Sequence, residues 1–170
     1  MDCYIALGTN LGRRARNLAA GLAGLARAGC EPVAESSVWE TEPVDGPAGA
    51  PWFWNMAVHV RTPQAPLTLL DSLLEVEREA GRVRAAANAP RILDLDLLLI
   101  GDLRLQHPRL HLPHPRMWQR RFVLEPLAEI APDLRNPLSG RCVAEERQRL
   151  GARSTVRRLG RLACCANAQL

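Results

Sequence analysis

Asp94 and Asp96 stand two residues apart inside Pro90-Arg91-Ile92-Leu93-Asp94-Leu95-Asp96-Leu97-Leu98-Leu99-Ile100, a segment otherwise rich in Leu and Ile. In an extended strand residues i and i+2 share a face, so the two carboxylates project side by side. Adjacent carboxylates on a half-buried strand repel each other and are costly to desolvate, and a cation between them relieves both penalties. Mg²⁺ suits the position: it is hard, prefers oxygen, and is commonly held by one or two carboxylates with water and substrate phosphates completing its shell. The same pattern also fits a plainer arrangement, with one Asp in solvent at a strand end and the other capping a turn.

Phosphoryl-type transfer requires cations for the phosphate tail as well as metal ions for the developing charge. Arg82, Arg84 and Arg91 precede the aspartates, and Arg109, Arg116, Arg120 and Arg121 follow them. Each guanidinium can grip phosphate oxygens in a bidentate manner. Taken singly, each is more simply a solvated surface residue, except Arg91, which lies three residues before Asp94. His107, His111 and His114 have a spacing of four and three, yet Pro108, Pro113 and Pro115 prevent the regular helix that would turn them into a zinc site. One of them donating to a phosphate or leaving-group oxygen, or a purely structural histidine, fits better. Phe53 and Asn55 alternate onto one strand face and offer a ring and an amide to a flat heterocycle, or else form ordinary core.

The elements that must position these groups can be read from periodicity. A strand over Cys3–Leu7 runs into the turn Gly8-Thr9-Asn10-Leu11-Gly12 and a helix carrying Leu18, Leu22 and Leu25. Gly21 and Gly24 weaken that helix by roughly 1 kcal/mol each relative to Ala. A strand is expected from Val33 to Glu40, a long Pro/Gly loop from Thr41 to Pro51, and an alternating strand from Phe53 to Val60. Pro66 opens a helix through Leu70, Leu73, Leu74 and Glu77, with Gly81 at its C-terminal cap. After a loop from Arg82 to Arg91 comes the Asp-Leu-Asp strand. Gly101-Asp102 reads as a hairpin turn into Leu103-Arg104-Leu105, and a helix is expected from Met117 to Ile130. Strands and helices mix without regular βαβ alternation, which favours an α+β fold with a largely antiparallel sheet.

The chain has 170 residues, enough for one domain, and a net charge of +4 that is unevenly spread. Residues 135–170 carry eight Arg against Glu145 and Glu146, a charge of +6, which leaves −2 on the rest. All 22 basic residues are Arg, so a P-loop lysine, a Schiff base and a kinase-type strand lysine are excluded. The five cysteines, Cys3, Cys30, Cys142, Cys164 and Cys165, lack C-x-x-C spacing and suit free thiols in a reducing cytoplasm. Neither a secretory leader nor a membrane span is expected.

The ordered set Tyr4-Ile5-Ala6-Leu7-Gly8-Thr9-Asn10-Leu11-Gly12, Thr41-Glu42-Pro43, Pro51 to Asn55, Glu77 to Arg84, Pro90 to Asp96, and Pro113-His114-Pro115 followed by Arg120 and Phe122 resembles the 6-hydroxymethyl-7,8-dihydropterin pyrophosphokinases of folate biosynthesis. The resemblance covers residues 3 to 134. It implies transfer of the β,γ-diphosphate of ATP to the pterin hydroxymethyl oxygen with release of AMP, on a ferredoxin-like α/β sandwich whose mostly antiparallel sheet is covered by helices. It implies that Asp94 and Asp96 hold two Mg²⁺ ions, with Arg82, Arg84 and Arg91 completing the catalytic set. Glu77, Arg82, Arg84, Arg91, Arg109, His114 and Arg120 fall at positions associated with ATP. Phe53 and Phe122 would sandwich the pterin, with Asn55, Thr41, Pro43 and Val44 along its edge. The partners implied are ATP and a dihydropterin. The chain is expected to be cytoplasmic, and a monomer or else an oligomer.

The chain departs from the pattern at Ala85-Ala86-Ala87-Asn88-Ala89, one residue short and without the usual basic residue and Trp-Gly, which predicts slower turnover. Trp52, Trp54, Thr9 and His111 also depart. A pyrophosphokinase domain over 1–137 is therefore expected, followed by an Arg-rich extension over 138–170, helical from an N-cap at Ser154 through Val156, Leu159 and Leu162. Two other readings are a weakened paralogue serving as a nucleotide- or pterin-binding regulatory module, and a nucleic-acid-binding domain using the basic tail. The tail's lack of aromatic residues counts against the latter.

Overall fold

In strand β1 (Asp2–Thr9) burial alternates residue by residue: Cys3, Ile5, Leu7 and Thr9 are fully buried. The computed structural model, which describes residues 1–43, 51–81, 90–151 and 155–163, places β1 at the centre of the site-forming part of a six-stranded antiparallel sheet. It is flanked by β4 (Phe53–Arg61) on one side and β5 (Asp94–Ile100) on the other. The far side of β4 pairs with β2 (Glu31–Glu35) and β3 (Val38–Thr41), and β8 (Val156–Gly160) adds a strand beyond β3. The predicted α+β class and antiparallel sheet are what the chain forms.

One face of the sheet packs on α1 (Arg14–Arg27) and α2 (Pro66–Glu79), burying Ile5, Leu7, Met56 and Val58 against Leu18, Leu25, Leu69 and Leu73. The two helix glycines have a packing reason. A Cβ on Gly24 would lie 2.5 Å from Val76 Cγ1, and one on Gly21 would lie 3.1 Å from Leu7 Cδ2. They lower helix propensity and in exchange let α1 lie close on α2 and the sheet. Pro66 starts α2, and Gly81, with φ +90, follows its end, both as expected. The opposite face packs on α3 (Arg121–Ile130) and α4 (Val143–Leu150) through Ala57, Leu98, Leu99, Val123, Leu124, Leu127 and Val143.

Four expectations are corrected. The strand expected over Val33–Glu40 is two strands, because Ser36 and Ser37 divert the backbone: the Ser36 hydroxyl oxygen accepts the Ala57 N–H (2.9 Å), and the Ser37 N–H and hydroxyl both bond the Glu129 carboxylate (3.0 and 2.8 Å). The turn at Gly101 does not return a strand onto β5. Instead β6 (Leu105–His107) pairs with β7 (Leu110–Leu112) in a separate hairpin, and His114 N–H donates to Leu98 C=O on β5 (2.8 Å). The helix expected from Met117 breaks at Arg120, whose φ −118 and ψ 107 separate a 3₁₀ turn over Met117–Gln119 from α3.

The last correction concerns the extension. Among its described residues α4 is helical, while residues 156–160, expected to be helix, form β8, with Arg157 opposite Glu40 and Arg158 opposite Trp39. Successive arginines on a strand point to opposite faces, so Arg157 reaches Glu40 (2.6 Å) and Arg158 reaches Glu129 (2.8 Å). Ser154, Cys164 and Cys165, together with Val44, Arg82, Arg84 and the alanine-rich segment 85–89, lie outside the described residues.

Glu129 therefore joins three parts of the chain, accepting from Ser37, from Trp39 Nε1 (3.1 Å) and from Arg158. Burial alone would raise its pKa, but these donors outweigh burial and hold the carboxyl below the usual glutamate value. A depressed folded-state pKa stabilises the fold above the unfolded value and is lost as pH falls through the folded one. Glu129→Gln should thus cost roughly 1–2 kcal/mol at pH 7. In urea denaturation the gap between variant and parent should shrink at pH values below the ordinary glutamate pKa, and a gap independent of pH would contradict the assignment.

Candidate active site

The register of three strands assembles the site. Gly8 on β1 is paired with Asn55 on β4 and with Asp94 on β5, and two residues back Ala6 is paired with Ala57 and Asp96. Directly paired residues share a face, so amide, glycine and carboxylate form one row and Asp96 stands in the next. A Cβ on Gly8 would lie 3.0 Å from Asn55 Oδ1 and 3.9 Å from Asp94 Cβ. The missing side chain leaves the gap between them open. Asp94 and Asp96 are both half-buried and share the face, as the strand period predicts.

Cations surround the pair. Arg91 donates to Asp94 Oδ2 at 2.6 Å, and Arg120 approaches Asp96 at 3.9 Å. Arg120 also lies over the Phe122 ring at 5.3 Å. Burial pushes the Asp96 carboxyl above the ordinary aspartate range; the Asp94 charge adds to this, and His114, Arg120 and Arg91 oppose it. Burial likewise lowers the His114 pKa, against the pull of Asp96. His114 Nδ1 accepts the Arg116 N–H (3.3 Å), so the neutral ring carries its proton on Nε2.

Glu77 on α2 is buried and accepts the Leu95 N–H at 2.7 Å, which ties the residue between the two aspartates to the helix. A cleft of about 340 Å³ opens beside β5 and is lined by Glu77, Asp94, Asp96, Arg109, His111 and His114. Arg109 is exposed there and ion-paired with Asp71. On the β4 side, Asn55 Nδ2 donates to Thr41 Oγ1 (2.8 Å), both residues being buried, while Phe53 pairs with Thr41 across the strands. Among the described residues no group of three His, Cys, Asp or Glu is placed to hold a metal ion.

The two departing tryptophans differ in place. Trp54 is buried on the α1 face, with Arg14 4.5 Å from its ring centroid and its Nε1 donating to Glu40 (3.2 Å), whereas Trp52 is exposed. From its sequence position Asn10 is only a turn residue. In the fold it is buried and hydrogen-bonded to Pro51 and Arg91, and the available signal was an Asn, a residue that readily bonds nearby backbone, between a strand and a helix.

Paired carboxylates within reach of guanidinium groups, one glycine away from a buried amide, suit a phosphate–metal site beside a heterocycle site. A family model described as 7,8-dihydro-6-hydroxymethylpterin-pyrophosphokinase (HPPK) matches residues 4–132. The chain belongs to this family. It is 46% identical over 135 residues to the 2-amino-4-hydroxy-6-hydroxymethyldihydropteridine pyrophosphokinase of Pseudomonas aeruginosa, covering 79% of this chain and 83% of that one. It is 43% identical over 128 residues to the enzyme of the same name from Bacillus subtilis, covering 75% and 76%. Among solved structures, Plasmodium falciparum HPPK-DHPS has a TM-score of 0.65 at 15% identity, covering 89% of this chain and 44% of that one, which supports the HPPK fold. This chain spans less than half of that longer protein.

The carboxylate pair has a stability cost in the metal-free HPPK fold. Because its folded pKa is raised, Asp96 favours folding only while protonated and costs stability as pH rises through that value. At pH 7 with chelator present, Asp96→Asn should raise the thermal midpoint by roughly 2–4 °C, equivalent to about 1 kcal/mol. Asp94→Asn, which weakens the Arg91 ion pair, should not. A lower midpoint for Asp96→Asn would contradict this reading.

Proposed function

We propose that this protein transfers the β,γ-diphosphate of ATP to the hydroxymethyl oxygen of 6-hydroxymethyl-7,8-dihydropterin, releasing AMP, in folate biosynthesis. The observation that carries the reading is the row Asn55–Gly8–Asp94 with Asp96 beside it, which sets a heterocycle-binding amide next to a metal-binding carboxylate pair. The pyrophosphokinase names of its relatives agree with it.

The donor set fits Mg²⁺. Two hard oxygen ligands without a third His, Cys, Asp or Glu among the described residues leave coordination positions for phosphate oxygens and water, as Mg²⁺ prefers. Asp94 and Asp96 would hold two such ions, which would supply positive charge to neutralise that developing on the transferred group. The protein's own part is positioning and electrostatics. Arg91, Arg120 and His114 Nε2–H face the phosphate chain, Arg109 reaches it from the hairpin, and Glu77 holds β5 in register. Asn55 bonds the pterin edge with its amide fixed by Thr41, beside Pro43, and Phe53 and Phe122 supply ring faces. Arg82, Arg84 and Val44 keep the roles that the family pattern gives them. The hydroxymethyl oxygen attacks the β-phosphorus, the bond from that phosphorus to the α,β-bridging oxygen breaks, and AMP leaves. We read the enzyme as a cytoplasmic monomer whose thiols Cys3, Cys30 and Cys142 are free.

Incubating the protein with ATP, Mg²⁺ and the hydroxymethyl-dihydropterin should yield AMP and the pterin diphosphate, and no AMP once Mg²⁺ is chelated. Asp96→Ala should lower kcat by at least about 100-fold. The absence of AMP above a no-enzyme control would overturn the proposal.

A further inference from the structure

Asn10 lies one residue beyond β1 and is 4% exposed. Its side chain bonds both neighbouring strand entries at once. Oδ1 accepts the Arg91 N–H (2.8 Å), Nδ2 donates to the Pro51 C=O (3.3 Å), and the Asn10 N–H donates to the Arg91 C=O (3.2 Å). The ladder of β1 with β4 ends at Thr9–Trp54, and that with β5 ends at Gly8–Asp94. Asn10 therefore continues both pairings past the point where the ladders stop. Pro51 is two residues before Phe53 and four before Asn55, while Arg91 is three before Asp94 and bonds its carboxylate.

The turn that carries Asn10 is itself fixed. Asn17 Nδ2 donates to Thr9 Oγ1 (3.1 Å) and to Leu11 C=O (2.8 Å). Arg14 donates to Trp52 C=O (2.9 Å), a second tie between the start of α1 and the approach to β4. An amide is the side chain suited to this position, since one planar group must present a donor in one direction and an acceptor in another. Aspartate would put an oxygen against the Pro51 carbonyl, and alanine would leave the Arg91 N–H and the Pro51 C=O, both in part-buried bonds, without these partners.

We propose that Asn10 is a positioning residue that fixes the heterocycle-binding segment Pro51–Asn55 relative to the phosphate- and metal-binding segment Arg91–Asp96. It touches neither substrate. Its effect is on the separation between the attacking oxygen and the β-phosphorus, where a misplacement of about 1 Å can cost on the order of 100-fold in rate. The inference rests on the diphosphate-transfer reading.

The test measures chemistry and binding separately on the full-length chain. Single-turnover formation of AMP gives the rate. Calorimetric titration with Mg²⁺ and α,β-methylene-ATP, and with the pterin in a separate experiment, gives each Kd. Asn10→Ala should lower the single-turnover rate by about 100-fold while each Kd moves less than about threefold. Asn10→Asp keeps the acceptor for Arg91 N–H and loses only the Pro51 bond. It should leave the nucleotide Kd unchanged and lower the rate by about tenfold or more, and it decides the matter if Asn10→Ala does not fold. A single-turnover rate within threefold of the parent in a folded variant would overturn the inference. So would a rate loss accounted for entirely by weaker binding of one substrate. Parent protein that forms AMP while the variants match it contradicts the role of Asn10 alone, whereas parent protein that forms none contradicts the function reading and this inference together.

Discussion

The antiparallel register of β1 between β4 and β5 is the constraint on which the rest of the site depends. It sets Gly8 opposite Asn55 on one side and Asp94 on the other. Side chains alternate along a strand, so a slip of one residue would send Asp94 and Asp96 into the face occupied by Leu95 and Leu97, under α1 and α2. Burial of Ile5, Leu7, Leu95 and Leu97 on that face forbids the slip, because it would trade apolar contacts for two buried charges. The hydrophobic core thereby specifies the position of the carboxylates without touching them.

Charge elsewhere in the molecule follows a different rule. Glu125, Glu129 and Glu146 are half-buried or buried around α3 and α4, and each is met by arginine: Arg121 and Arg147 at Glu125, Arg158 at Glu129, and Arg141 and Arg149 at Glu146. Glu40 draws Arg14 and Arg157 together beside Trp54. Exposed ion pairs contribute little individually, but a partly buried carboxylate deprived of its guanidinium is costly. Five of the arginines that give residues 135–170 their basic character are spent on such pairs, which weighs against a continuous basic surface for nucleic acid. Asp94 and Asp96 differ because their nearest charged neighbours include each other. That like-charge repulsion, together with burial, raises the Asp96 pKa, a penalty that a cation between the carboxylates would relieve.

What was legible in the sequence was local. Period-two spacing placed Asp94 with Asp96 and Phe53 with Asn55, and proline and glycine marked the ends of α2. The remainder depends on distant partners. The strand break at Ser36-Ser37 requires Glu129, more than 90 residues away, and no local pattern announces it. Val156, Leu159 and Leu162 fit a helical period, yet Arg157 and Arg158 find their carboxylates only when the segment is extended against β3. Gly24 reads as a weak helix residue until Val76 is seen where its side chain would be. At the site, Asp94, Asp96, Glu77, Arg91, Arg120 and His114 come together, whereas the importance of Asn10 depends on contacts to two segments remote from it in sequence.

Filling the gap at Gly8 tests the central claim most directly, because this glycine separates the amide from the carboxylate. In Gly8→Ala the new methyl would press on Asn55 Oδ1 from 3.0 Å on the open side of the row. The variant should keep a thermal midpoint within a few degrees of the parent and bind Mg²⁺ with α,β-methylene-ATP within about threefold, while kcat/KM for the pterin falls at least about tenfold. A Gly8→Ala protein that folds and turns over the pterin at the parent rate would contradict the account.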